Sequence, residues 1–336
     1  MTFLIQQTII YAVPLMLIAL AGVFAERSGI INLALEGIMI FGAFTGVLFI
    51  NLMQKNGAFT QERAMSLMCL TMLVSALSGI VFSLLLSFAS VNLKANQTIS
   101  GTALNMLSPA LVLFLINIIA NQNIISMAQG DASTWFMIRK RALGFDVTRD
   151  YGFFIETFLF KSYPADYICI ALFIVLSVIL YKTRFGLRLR ACGENPHAAD
   201  SLGISVAKMR YLGTGISGAL AATGGFVFAL TTANCSATGD VAGFGFLALA
   251  VMIFGNWKPV SIALTSILFG VFKCIAAAYS TLDLNGDGRF MLAEIGISTN
   301  LYRMLPYIIT LVVLVFTSKS SRAPKAAGLV YDKGKR

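Results

Sequence analysis

Charged residues are scarce in this chain: aspartate, glutamate, lysine and arginine together make up 12% of its 336 residues, against 57% hydrophobic ones. A soluble core of this size cannot bury that much apolar surface, so a soluble globular domain is excluded and the chain reads as a polytopic membrane protein. Histidine occurs once, at His197, which removes histidine-based metal clusters. The HExxH, GxSxG and GxxxxGK[ST] patterns are missing too, so no soluble catalytic centre and no ATP site of its own is expected. Energy for work across a membrane then has to come from an ion gradient or from another subunit. The cysteines, at 69, 169, 192, 235 and 274, include no CxxC pair, and neither a disulfide framework nor a zinc site follows. No lysine or arginine precedes the first hydrophobic run, so the first 25 residues read as a span rather than a cleaved signal peptide.

What is present is a series of apolar stretches. Spans are expected at 3–25, 29–53, 65–90, 98–121, 164–182, 211–232, 241–257, 260–280 and 303–318, each near the ~20 residues a helix needs to cross ~30 Å of hydrocarbon. The fold class is all-α, with about nine (eight to ten) transmembrane helices in a membrane domain at 1–318 and a short basic tail, expected to be disordered and cytoplasmic, at 319–336. The net charge of +10 resides in loops and tail, which points to orientation and lipid contact and not to nucleic acid. With the 183–210 loop and the tail inside, nine spans put the N-terminus outside, with fifteen lysines and arginines inside and nine outside. The external loops are then 121–163 and 281–302. The first is discordant, because Arg139, Lys140 and Arg141 fall outside. Either a long loop escapes the positive-inside tendency, or 151–160 inserts as a re-entrant piece or a further span.

The few polar groups inside the spans are the candidates for function. Asn32 and Glu36 lie in the second span, and an intramembrane carboxylate costs several kcal/mol unless it is protonated, paired or facing water. A translocation path and a protonated acid hydrogen-bonded between helices are both open readings of Glu36. Gln97 and Asn105, in the polar start of the fourth span, suit a hydrated path or interhelical hydrogen bonds. Gly42 and Gly46 form a small-xxx-small face, and GTGISG at 213–218, which follows no strand, reads as close helix packing rather than dinucleotide binding. LALEGIMIFG at 33–42 resembles LALAVMIFG at 247–255, and in the span model the two run in opposite directions, as in a weak inverted repeat. Lys273 could pair with Glu36 across a path, or its stem could snorkel to the outer surface. DLNGDGRFMLAE at 283–294 fits the twelve-residue calcium loop, with Asp283, Asn285, Asp287, Arg289 (through its carbonyl) and Glu294 as ligands, although Met291 offers nothing at the ninth position and an ordinary turn reads equally well.

The stretch 183–211 is a strongly charged interruption between two apolar runs, with Arg184, Arg188, Arg190, Lys208 and Arg210 against Glu194 and Asp200. Glu194-Asn195-Pro196 should break the chain, and the alanine-rich segment after it should form a short helix closed by Gly203. Such a helix, held between two spans, is placed to receive a push from a soluble partner; a solvated connector touching anionic lipid is the alternative.

ERSGIINLALEG at 26–37 and FGLRLRACGENPHAA at 185–199, followed by Gly203, resemble the two signature stretches of permease subunits from bacterial ABC importers for simple sugars, branched-chain amino acids and nucleosides. The wording of the first is closest to the shorter permease of nucleoside importers. The resemblance implies a type II importer fold in the cytoplasmic (inner) membrane, a second permease subunit, ATPase subunits inside that bind the ATP, and an external substrate-binding protein. It implies a nucleoside cargo first, with a simple sugar or branched-chain amino acid as the alternative, and the scarcity of intramembrane charge agrees with a neutral or zwitterionic cargo; a proton-coupled carrier using Glu36 is the rival of another class. Gly186, Arg190, Gly193, Glu194, Asn195, Ala198, Ala199 and Gly203 would form the segment that docks on the ATPase, and Asn32, Glu36, Gln97 and Asn105 would stand nearest the path.

Overall fold

The computed structural model describes residues 2–140, 146, 151–278, 299–317 and 322–332. The possible calcium ligands Asp283, Asn285, Asp287, Arg289 and Glu294 lie outside the described residues, as does most of the expected external loop at 281–302.

Each expected span overlaps a helix: α1 (Thr2–Arg27), α2 (Leu35–Lys55), α3 (Ala64–Ser87, continued by a π-turn over Phe88–Asn92) and α4 (Gln97–Ala120) come first. Two short helices follow, α5 (Ala132–Trp135) and α6 (Phe153–Phe158). Then come α7 (Pro164–Lys182), α8 (Arg184–Glu194), α9 (Pro196–Ser201) and α10 (Val206–Thr231). The chain ends with α11 (Phe244–Phe254), α12 (Pro259–Ala278) and α13 (Thr299–Thr317). Seven of the described helices are long and apolar enough to cross a membrane. The expected span at 241–257 is corrected by α11: its 11 residues cover about 16 Å, half a bilayer core. The piece at 151–160 is not a further span either, because α6 has six residues and leaves Phe153, Phe154 and Phe158 exposed. The tail is also corrected: 322–332 is placed against the bundle, through bonds described below.

Burial decides which helices form the centre. In α1 and α10 the apolar window is 89% and 83% buried, whereas in α4, α7 and α12 it is 22–28% buried, so α1 and α10 are the core and the others its lipid-facing wall. A helix apolar all round belongs in such a core, while α4 buries only the stripe Gln97, Gly101, Leu104, Ser108, Val112 and Ile116. The core closes through small residues. A Cβ added at Gly42 of α2 would stand 2.4 Å from the Ala222 Cα of α10, and one at Gly79 of α3 would stand 2.2 Å from the Gly218 carbonyl oxygen. The Ser75 hydroxyl lies within 3.0 Å of the Gly42 and Ala222 carbonyl oxygens and pins the junction of the three helices. The GTGISG stretch is thus a packing face. Beside it, an apolar groove of about 770 Å³ separates α3 from α7 over the outer surface of α10, lined by Met72, Leu73, Leu172, Leu176, Leu212 and Ile216 among others.

The two ends of the bundle differ. At one end Gln6 of α1 donates to the carbonyls of Glu156 and Phe160, and β1 (Ile125–Ser126) pairs antiparallel with β2 (Ser236–Ala237). At the other end Arg27 meets Glu194 of α8 at 3.2 Å. The two resembling stretches run in opposite directions. From a shared junction α2 climbs to the β1 end, where Gln54 accepts from the Ala128 and Gln129 amides, while α11 descends to the α8 end, where Trp257 donates to Glu26.

Gly79→Leu would drive a side chain into backbone, and an overpacked core of this kind loses about 3 kcal/mol. Thermal unfolding in detergent should show a large drop in Tm for Gly79→Leu and almost none for Leu77→Ala, whose side chain is 63% exposed; equal shifts would contradict the close contact.

Candidate functional site

The chain between α1 and α2, residues 28–34, is not helical, yet Ser28, Ile30, Asn32 and Ala34 are buried. Backbone N–H and C=O groups in an apolar interior must be satisfied by something. The Ser28, Gly29 and Ile30 amides turn back on the Ala25 and Glu26 carbonyls of α1, and beyond them side chains from other helices supply partners. Gln97 at the start of α4 accepts from the Ile31 amide at 2.8 Å. Asn105, two turns on, accepts from the Gly37 amide at 2.7 Å and donates to the Leu33 carbonyl at 2.6 Å, and the Ser108 hydroxyl donates to the Gly37 carbonyl. Helix α2 has no side-chain cap of its own, and Asn105 therefore serves as a cap supplied from another helix. Asn32 accepts from the Ala34 amide and donates to the Ser217 hydroxyl, 2.9 Å away in the middle of α10.

Glu36 performs the same service for α11. One carboxylate oxygen accepts from Gly243 at 3.0 Å, and the other from Gly245 at 2.5 Å and Phe246 at 3.3 Å. The first amides of a helix have no partner inside it and carry its positive dipole end, so a buried carboxylate is stabilised there. Gly245 is required by this approach, since a Cβ on it would stand 2.5 Å from the Glu36 Cα. Lys273 neither pairs directly with Glu36 nor snorkels away. Its ammonium lies over the rings of Phe244 and Tyr307, at 4.8 and 5.2 Å, and faces the Ala242 carbonyl.

All four path candidates, Asn32, Glu36, Gln97 and Asn105, are therefore brought together on the 31–37 stretch. Sequence reasoning missed Ser108 and read Ser217 only as part of a packing face, since single hydroxyls in apolar helices carry no signal, and it missed that α11 begins at Glu36.

The second site is at the α8 end. Thr183 caps α8 and Asn195 caps α9, accepting from the Gly186 and Ala198 amides, with Pro196 at the first turn of α9 and Gly203 in the left-handed region (φ +78°) beyond it. The break at 194–196 and the helix after it are as expected. The docking candidates divide by what they touch. Gly186 abuts the Leu180 carbonyl and Gly193 the Arg27 carbonyl, where a Cβ would stand at 2.1 and 2.4 Å. Arg190 stacks on Tyr181 at 5.0 Å and reaches the Gly186 and Tyr181 carbonyls, Glu194 holds Arg27, and Ala199 is buried. Burial between α8 and α9 also pushes the Cys192 thiol above its ordinary pKa, with Arg210 opposing the shift. Asn195, Ala198 and Gly203 face outward, and with them His197 and Leu202, the latter 81% exposed. Leu202 was missed, because nothing in its neighbours distinguishes it from a buried leucine.

Comparison with known proteins bears on both sites. Residues 4–314 match the family model described as branched-chain amino acid transport system, permease component. The chain is 38% identical to the guanosine ABC transporter permease protein NupQ of Bacillus subtilis, over 100% of this chain and 98% of that protein. It is 36% identical to the nucleoside ABC transporter permease protein NupC of Lactococcus lactis, over 99% of this chain and 97% of that one. A putative glucose ABC transporter permease protein, TsgC13 of Haloferax volcanii, is 27% identical over 93% of the chain and 91% of its own length. No solved structure matches. With its apolar helices, its two signature stretches and a match along nearly its whole length, the chain belongs to the branched-chain amino acid transport system permease-component family, as a multi-pass membrane permease of ABC-importer type.

Proposed function

We propose that this permease imports a nucleoside, of the purine kind, driven by ATP bound on a partner. The observation that carries the cargo is the full-length similarity to permeases named for guanosine and for nucleosides. In this reading a second permease stands beside it, an ABC ATPase docks on the outward face of α8 and α9, and an external binding protein delivers the cargo. Two further relatives, the guanosine ABC transporter permease protein NupP of Bacillus subtilis and the nucleoside ABC transporter permease protein NupB of Lactococcus lactis, come from the same two organisms and carry the same cargo names, which supports a pair of unlike permeases. ATP closes the nucleotide domains, their docking clefts move α9, and the bundle switches the side to which its path opens. A neutral nucleoside asks for amides and apolar walls rather than a strong counter-charge, and Asn32, Gln97 and Asn105 are the amides beside which it would pass. Glu36 is committed to three backbone amides, which weighs against a free proton-titrating site and so against the proton-coupled carrier.

In proteoliposomes holding both permeases and the ATPase, with the binding protein outside, guanosine uptake should require ATP and survive an uncoupler. Uptake that persists without the ATPase and collapses with the uncoupler would overturn the reading, and titrating the binding protein with guanosine, adenosine, ribose and leucine decides the cargo. Glu194→Ala combined with Asn195→Ala should abolish cargo-stimulated ATP hydrolysis while the helices stay folded; normal stimulation counts against docking at α8 and α9. Glu36→Ala strands three backbone amides, that of the buried Gly245 among them, and should cost about 3 kcal/mol in chemical unfolding, whereas Glu36→Gln, which keeps an acceptor, should cost about 1 kcal/mol. A transport defect in Glu36→Gln at near-normal stability would assign Glu36 to the path as well as to the cap.

A further inference from the structure

Residues 322–332 return across the end of the bundle that carries α8 and α9, and they touch each part in turn. The Arg322 amide donates to Asn256 in the α11–α12 turn at 2.9 Å. The Ala326 amide donates to the Gly193 carbonyl at the end of α8, at 2.9 Å, and the Gly328 amide donates to the Gly29 carbonyl in the α1–α2 connector, at 3.3 Å. Gly328 has φ +80° and presses on Ile31, whose Cδ1 would stand 2.7 Å from an added Cβ. Arg210, 1% exposed at the base of α10, donates to the Leu329 carbonyl at 3.0 Å and lies 5.9 Å from the Tyr331 ring centroid. On its other side the guanidinium packs on Gly29, where a Cβ would come within 3.1 Å of Nη2. The Tyr331 ring is 5.2 Å from the ring of His197 on the outward face of α9, and Asp332 meets Lys94 beyond the α3 end at 2.9 Å.

The docking segment and the broken connector are thus joined by a strap in which a single residue, Ala327, separates the bond to Gly193 from the bond to Gly29. Backbone-to-backbone bonds fix the strap at both places, and the Tyr331 ring seats it against α9. The connector so gripped is the one that carries Asn32 and leads into Glu36.

We propose that residues 322–332 transmit movement of the docking helix to the connector, with Tyr331 and Arg210 as positioning residues of that link. The inference rests on docking of the ATPase at α8 and α9. Displacement of α9 shifts Tyr331, Tyr331 moves the strap and Arg210 with it, and Gly29 to Ile31 follow because the Gly328 amide and the Arg210 guanidinium hold them. The alternative is a strap that only covers the end of the bundle.

The test uses the complete importer in proteoliposomes and compares the full chain with Tyr331→Ala and with a chain lacking 322–336. Both altered chains should assemble with the ATPase and hydrolyse ATP, while cargo imported per ATP falls about tenfold in the deletion, the size of an ordinary coupling between linked sites, and less in Tyr331→Ala. An unchanged ratio in both overturns the proposal. If the deleted chain does not assemble, hydrogen exchange decides: binding of ATP to the ATPase should change protection of the amides at 28–34 in the full chain, and Tyr331→Ala should blunt that change. An identical change in Tyr331→Ala is the second overturning result. A full chain that neither binds the ATPase nor imports with ATP would instead refute the docking reading beneath it.

Discussion

An unpaired peptide group inside an apolar bundle is expensive, and much of this molecule is arranged around that cost. The chain leaves helical geometry between α1 and α2, where the surroundings are buried, and α11 starts within the bundle as a half-helix. Both irregularities need donors and acceptors from elsewhere. Gln97, Asn105 and Ser108 reach over from α4, Asn32 reaches to α10, and Glu36 takes the open amides of α11. Polar residues in a membrane domain are often read as a lining for cargo. Here they first make a discontinuous backbone possible, and discontinuous helices are how transporters place polar groups at mid-membrane depth.

Much of the fold was legible in the sequence because hydropathy runs measure helices directly. The positions of the spans, the break at 194–196 and the antiparallel sense of the two resembling stretches all follow from local patterns. The exceptions have physical causes. The segment at 241–257 is apolar throughout, so its composition did not distinguish a spanning helix from a loop followed by a half-helix; only the bonds to Glu36 show where the helix starts. The tail is basic and short, which reads as solvated, yet its order comes from backbone amides and a tyrosine, groups that charge counting ignores.

The site was legible by residue but not by role. Asn32, Glu36, Gln97 and Asn105 stand out in sequence because they are polar where polarity costs energy, and the structure gathers them on one stretch. Which groups they bond is a tertiary property, since their partners Ser217, Gly37 and Gly245 are distant or featureless in sequence. At α8 and α9 the motif covers a helix pair and mixes residues that lock it to the bundle, such as Gly193, with residues that face outward, such as Ala198.

The contact among Gly42, Ala222, Gly79 and Gly218 has a mechanical side. Where backbones touch through glycine and alanine there are no rotamers to exchange, and the fit leaves no room for even one added methyl group. Helices α2, α3 and α10 are thus joined backbone to backbone into one wedge. Its margins are built otherwise: side-chain amides bridge the seam with α4, and the groove beside α7 is left unfilled by the core.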